Sequence, residues 1–288
     1  MIRRFFALEV HEGWGLARRL WAIGMAITWL QRGLHFEERY TDAGALVLRS
    51  YVPINDLFYF SPLGGWVVYA ALMTALVMVF LGRATRTALV LAIVGHLALN
   101  LTEGINFKGY DRLFFWQSLC LLVAPGRIDG RGVGLPMARY CVLITYFGLY
   151  GQTGWEKIAN EPSWWEGLPL MYNMVHRNFG DMPLGVMISD VTWLMVPMSW
   201  TTLVFEAGFP FLWWFRRIRP WLLLTGVAFH IGILVLMNVP NFTAASLALY
   251  PMLLAPTEYE RLRARFDALV AKLRGGPSLR EGVPHYSP

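Results

Sequence analysis

Two stretches of the chain carry no charged side chain at all, Leu57 to Gly82 and Pro220 to Thr257. A helix needs about 20 apolar residues to cross the hydrocarbon layer, so the first is long enough for one pass and the second for two. Within the second, Asn238-Val-Pro-Asn241 supplies residues that favour chain reversal. Composition agrees: 15% of the 288 residues are charged and 56% hydrophobic, with a mean hydropathy of +0.43. Soluble domains carry about 25% charged residues. An ordinary water-soluble enzyme and a disordered chain are both excluded.

Shorter uncharged runs lie at Thr87 to Thr102, Leu113 to Gly126 and Tyr140 to Trp155, each flanked by arginine that can snorkel to the interface. Leu16 to Leu30 reads as a first pass, and Val191 to Phe215 as another interrupted only by Glu206. The expectation is an all-α, polytopic membrane helix bundle of about eight transmembrane helices. Counting Lys and Arg on alternate sides puts 18 with the N-terminus and seven opposite. By the positive-inside rule both termini are then cytoplasmic, in a multi-pass protein of a bacterial inner membrane. Met1 to Val10 has no signal-peptide pattern.

The chain divides into two domains: a transmembrane domain over 1–257, and a cytoplasmic tail over 258–288. In that tail Leu262, Phe266, Leu269, Val270 and Leu273 recur at helical spacing among basic residues, the pattern of a helix lying on the inner leaflet. On the outer side, Gln31 to Pro62 and Glu156 to Asp190 read as long aromatic-rich loops roofing a cavity, with the indoles of Ser163 to Pro169 at headgroup depth. No Gly-rich phosphate loop, zinc finger or basic-aromatic motif is present, so the net charge of +6 does not point to nucleic acid. Cys120 and Cys141 form no CxxC and read as small core residues.

Polar groups at membrane depth are costly, and each needs a reason. Those here are His96, Gln117, Gln152, Glu156 with Lys157, Glu206 and His230. Lys157 is one of three lysines in a chain that otherwise uses arginine. A desolvated lysine can give up its proton and serve as a base, which arginine cannot. The plain alternative is a snorkelling interfacial cation. Glu206 must be protonated or paired, with His230 and His96 as candidate partners, for proton handling or for fastening helices. His96, Glu206 and His230 suit a metal by type, but no ligand spacing joins them and no metal is expected.

Five pieces, in order, bear a resemblance to a known family: Tyr40-Thr-Asp-Ala-Gly44; Leu81-Gly-Arg-Ala-Thr-Arg86; Asn106-Phe-Lys-Gly-Tyr110; Tyr146 through Glu156-Lys-Ile158 to Trp164-Trp-Glu-Gly167; and Phe229-His230. Over roughly residues 14 to 257 the chain resembles the HTTM (horizontally transferred transmembrane) domain shared with vitamin K-dependent gamma-glutamyl carboxylases. The resemblance implies a base at Lys157, which deprotonates vitamin K hydroquinone or another quinol at the exoplasmic face. The enzymatic reading adds catalytic roles for Glu206 and His230, and a polar lining of Asn106, Tyr110, Gln152 and Trp164 around the cofactor. Phe107 stands where the carboxylases carry His, and 31 residues follow Thr257, where they carry a large lumenal domain. Partners would be the bilayer, an isoprenoid quinone and an exoplasmic protein substrate or redox partner. The second reading is a non-catalytic module that anchors or assists such a partner. A transporter ranks third, because the sequence has no repeated halves.

Overall fold

The computed structural model describes residues 9–44, 60–102, 108–124, 126–128, 131–178 and 180–274. The described chain is helical apart from one small sheet. Helix α1 spans Gly13–Gly33, α2 Phe36–Tyr40, α3 Pro62–Leu81, α4 Thr85–Thr102 and α5 Gly109–Val123. After the strands come α6 (Pro136–Tyr146), a π-helical turn (Phe147–Gln152) and α7 (Thr153–Asn160). The chain continues through a 3-10 turn (Pro162–Glu166), α8 (Leu168–Val175), α9 (Pro183–Ser189), α10 (Thr192–Leu212), α11 (Arg219–Leu236), α12 (Pro240–Ala248) and α13 (Pro256–Leu273).

Helix boundaries follow local chemistry. At α3, Ser61 caps the N-terminus by accepting from Gly64 N–H at 3.3 Å, and Pro62 occupies the first turn. The same helix stops at Gly82, whose φ of +77° suits a residue without Cβ. Among the described residues three helices, α3, α4 and α11, are long and apolar enough to cross a membrane. The fold is therefore of the all-α class, with one small sheet, and membrane-associated. Its outer surface agrees: Leu63, Val67, Trp193, Val204 and Trp221 each leave 60% or more of their surface uncovered. In water such a belt would be an aggregation hazard.

Helix α1 is the central stave, packed against α3, α5 and α12. It buries Trp14, Trp21, Met25 and Trp29 on one side. Its indoles are satisfied across the bundle: Trp21 Nε1 donates to the Phe114 carbonyl and Trp29 Nε1 to His96 Nδ1, both at 3.1 Å. The N-terminal segment and the start of α13 adjoin, with His11 Nε2 lying 3.1 Å from the Leu254 carbonyl. Glu258 of α13 accepts from Arg219 of α11 at 2.8 and 3.0 Å, fixing the amphipathic helix to the bundle. Helix α13 buries none of its residues.

Two expectations are corrected, and one element is new. Glu156 to Asp190 is not a loop: it folds into the end of α7, the 3-10 turn, α8 and α9, because Leu170 and Met174 find a second apolar cluster with Met195 and Met237. A three-stranded antiparallel sheet, β1 (Glu9–Val10), β3 (Arg131–Gly134) and β2 (Gly126–Ile128) in that spatial order, had no signal in the helical periodicity. Cys120 is buried as expected, but Cys141 is exposed on the outer flank of α6, in the run read as a pass. Of the first expected outer loop, residues 45–59 lie outside the described residues, and the described part holds the end of α1 and all of α2.

Candidate functional site

Helices α7 and α10 meet backbone to backbone at Gly154. A Cβ there would stand 2.4 Å from Ala207 N, so no larger residue fits without separating the helices. One turn later α7 presents Lys157, and the facing turn of α10 presents Glu206. The Lys157 ammonium and the Glu206 carboxylate form a direct ion pair, with 20% and 9% of the side chains exposed. Lys157 Nζ also lies 4.7 Å from the centre of the Trp164 ring, a cation–π contact that shields it from one side. Trp164 is itself held by its N–H donating to Glu161 at 2.7 Å. The acid at the amine is thus neither Glu156 nor Glu161, its neighbours in sequence. Nor does Glu206 pair with a histidine.

The π-helical turn before α7 adds a residue to the repeat and so re-aims the side chains of α7; such turns recur at functional sites. It is built on Gly148 and Gly151, and a Cβ at Gly151 would meet Pro210 of α10 at 2.7 Å. Within it, Tyr150 is buried, and its hydroxyl joins His230 Nε2 at 2.7 Å and the Tyr250 hydroxyl. His230 is fully buried, and its Nδ1 has no partner. Phe205, adjacent to Glu206, packs on the Tyr150 ring at 5.1 Å. The His230 group therefore lies beside the ion pair without bonding to it.

Outside this core, α5, α6, the π-turn and α7 enclose an elongated groove of about 780 Å³. Its walls include Trp116, Val123, Cys141 and Ile144, and its polar end is formed by Arg112, Gln152, Thr153 and Glu156. Thr153 reaches both ways: it lines the groove, and its Oγ1 is 3.4 Å from Glu206 Oε2. That hydroxyl also donates to the Leu149 carbonyl at 2.6 Å.

Of the residues singled out from sequence, Lys157, Glu206 and Trp164 come together, His230 sits next to them, and Gln152 lines the groove. Tyr110 belongs elsewhere. It joins Arg32 at 3.3 Å in a separate polar cluster with Asp111 (2.7 Å from Arg32) and Asn100 (3.1 Å). His96 is in that cluster too, 3.3 Å from the Asp111 carbonyl, so the triad of His96, Glu206 and His230 is not assembled. No metal-binding group of His, Cys, Asp and Glu occurs among the described residues. Asn106 and Phe107 lie outside them. Sequence reasoning missed Tyr150, Tyr250 and Thr153. Their hydroxyls sit in apolar runs; the π-turn sets the direction of Tyr150 and Thr153, and Tyr250 reaches Tyr150 from a turn 100 residues away.

Compared with family models, curated proteins and solved structures, the chain matches none of them.

Proposed function

We propose that the chain is a multi-pass protein of the bacterial inner membrane that binds an isoprenoid quinol in the groove and takes a proton from it through Lys157 and Glu206. Eight helical passes with both termini cytoplasmic would complete the topology. The adjacency of His11 to Leu254 supports an even number of passes. The observation that carries the functional reading is the ion pair behind Thr153, at the polar end of an apolar groove. That groove has the character a ring with a prenyl tail requires: a long hydrocarbon wall and a few polar groups at one end.

When bound, a quinol supplies an acidic O–H and two reducing equivalents. Lys157 as an ammonium cannot accept that proton. In a poorly solvated site, however, an amine and a carboxylic acid compete with the separated charges. Glu206 takes the ammonium's proton and Lys157 Nζ regains its lone pair. The hydroxyl's proton then reaches Nζ through Thr153, the residue between groove and pair, and the pair ends one proton richer, with one positive charge. Trp164 keeps Nζ facing Glu206, and the Thr153 hydroxyl turns from the Leu149 carbonyl toward Glu206 Oε2 to pass that proton on. His230 and Tyr150 furnish a buried reserve of exchangeable protons.

The second reading, a non-catalytic module serving an exoplasmic or redox partner, is favoured by the same pair seen as an interhelical fastener. A short-chain naphthoquinone titrated into detergent-solubilised protein separates the two. The quinol reading predicts a saturable rise in thermal stability that Gly148→Phe abolishes, since Gly148 lines the groove with open space beside it. The fastener reading predicts no rise in either protein.

A further inference from the structure

A second hollow, of about 180 Å³, opens where α1 ends, α2 begins and α5 starts. Arg32, His35, Arg39 and Lys108 all line it, joined by Tyr110 and Asn241. Of its three permanent cations, Arg32 is paired with Asp111, whereas Arg39 and Lys108 meet no carboxylate within ion-pair distance among the described residues. Asp111 accepts through Oδ2 from Arg32 at 2.7 Å and from the Lys108 backbone N–H at 3.0 Å, while its Oδ1 is buried with no hydrogen-bond partner among the described residues. Glu38 faces His35 at 3.6 Å, and Glu37 accepts from Trp66 at 2.8 Å. Neither Arg39 nor Lys108 has a side-chain hydrogen bond or ion pair among the described residues.

Arg32 makes this a built pocket rather than a scatter of surface charge. Its side chain is 7% exposed and fixed from three directions, by Asp111, Asn100 and Tyr110. Trp29 also packs under its guanidinium, 5.0 Å from the ring centre. Those bonds use Nη1 once and Nη2 twice, so two of the five N–H donors of a guanidinium remain unspent. On the opposite wall, Asn241 Oδ1 is buried without a partner. Half a turn about its terminal bond presents two further N–H donors instead. Unspent donors, unpaired cations and a pre-set guanidinium are the chemistry that holds a phosphate or carboxylate in bidentate fashion.

We propose that this pocket binds an anionic oxygen group, a phosphate or carboxylate, supplied either by a soluble ion or by an acidic lipid headgroup. The site is independent of the Lys157–Glu206 pair: it is formed by other helices and shares no residue with the groove.

The test compares the wild type with Arg39→Gln/Lys108→Gln and with Arg39→Glu. Both positions are free of described side-chain partners, so folding should survive the changes. In one arm, inorganic phosphate is titrated into protein in neutral detergent against chloride at equal ionic strength, and thermal stability is read. In the other, protein in nanodiscs of phosphatidylcholine is compared with protein in nanodiscs containing phosphatidylglycerol. A saturable stabilisation in either arm that weakens at least about tenfold in apparent affinity in both variants supports the proposal, and the responding arm names the source. Identical responses of wild type and variants, or no response in either arm, overturn it.

Discussion

Lys157 and Glu206 illustrate how a residue's meaning depends on what the fold brings beside it. Removing one partner of a poorly solvated pair leaves a charge without compensation, whereas replacing both can be nearly neutral. Glu206→Gln is therefore expected to lower stability by about 1–2 kcal/mol, and Lys157→Met/Glu206→Leu by clearly less. Thermal unfolding in a single detergent reads the difference, and equal losses would contradict a coupled pair. At the other end of the bundle, His11 is buried, with Nδ1 accepting from Gly13 N–H at 3.1 Å and Nε2 against the Leu254 carbonyl. Burial holds its pKa below the usual imidazole value. Because the folded form prefers neutral His11, the stability it contributes is complete above about pH 6.5 and is lost as the pH falls below that value. His11→Gln should flatten the acid limb of a stability–pH profile, and an unchanged limb would remove His11 from the account.

Among the elements, α7 depends most on close approach. Gly154→Ala should force α7 from α10, cost about 1–3 kcal/mol as overpacking does, and open the ion pair. Reactivity of Lys157 toward an amine-directed reagent should rise with it. Unchanged reactivity would mean that the helices are not held by this contact. The sequence exposes such elements unevenly. Uncharged runs and their arginine flanks delimit α3, α4, α5 and α11 because hydrophobicity is summed over many residues. The π-turn at Phe147–Gln152 and the short helices α8 and α9 were not legible, since a six-residue change of pitch and seven- or eight-residue helices are decided by tertiary contacts with Pro210, Met195 and Met237. The site divides likewise. Lys157 stands out as a rare residue type and Glu206 as an isolated acid in an apolar run, but their pairing across 49 residues has no local signature.

For the whole molecule, the bundle sets polar clusters in an apolar frame: the Lys157–Glu206 pair, separated from the groove by Thr153, the Tyr150–His230–Tyr250 group beside it, and the Arg32 cluster beneath its own hollow. The groove also contains an internal reporter, because Cys141 lines it and is exposed while Cys120 is buried. A bound quinol should slow maleimide labelling of Cys141, and labelling at an unaltered rate would place any ligand elsewhere. The central claim, that the pair takes a proton from a quinol in the groove, is tested most directly by anaerobic absorption spectroscopy of a short-chain naphthoquinol mixed with the protein near neutral pH. The account predicts one equivalent of the ionised quinol's spectrum with the wild type, and none with Lys157→Gln or Glu206→Gln although both still protect Cys141. An unionised spectrum with the wild type at saturating quinol would contradict it.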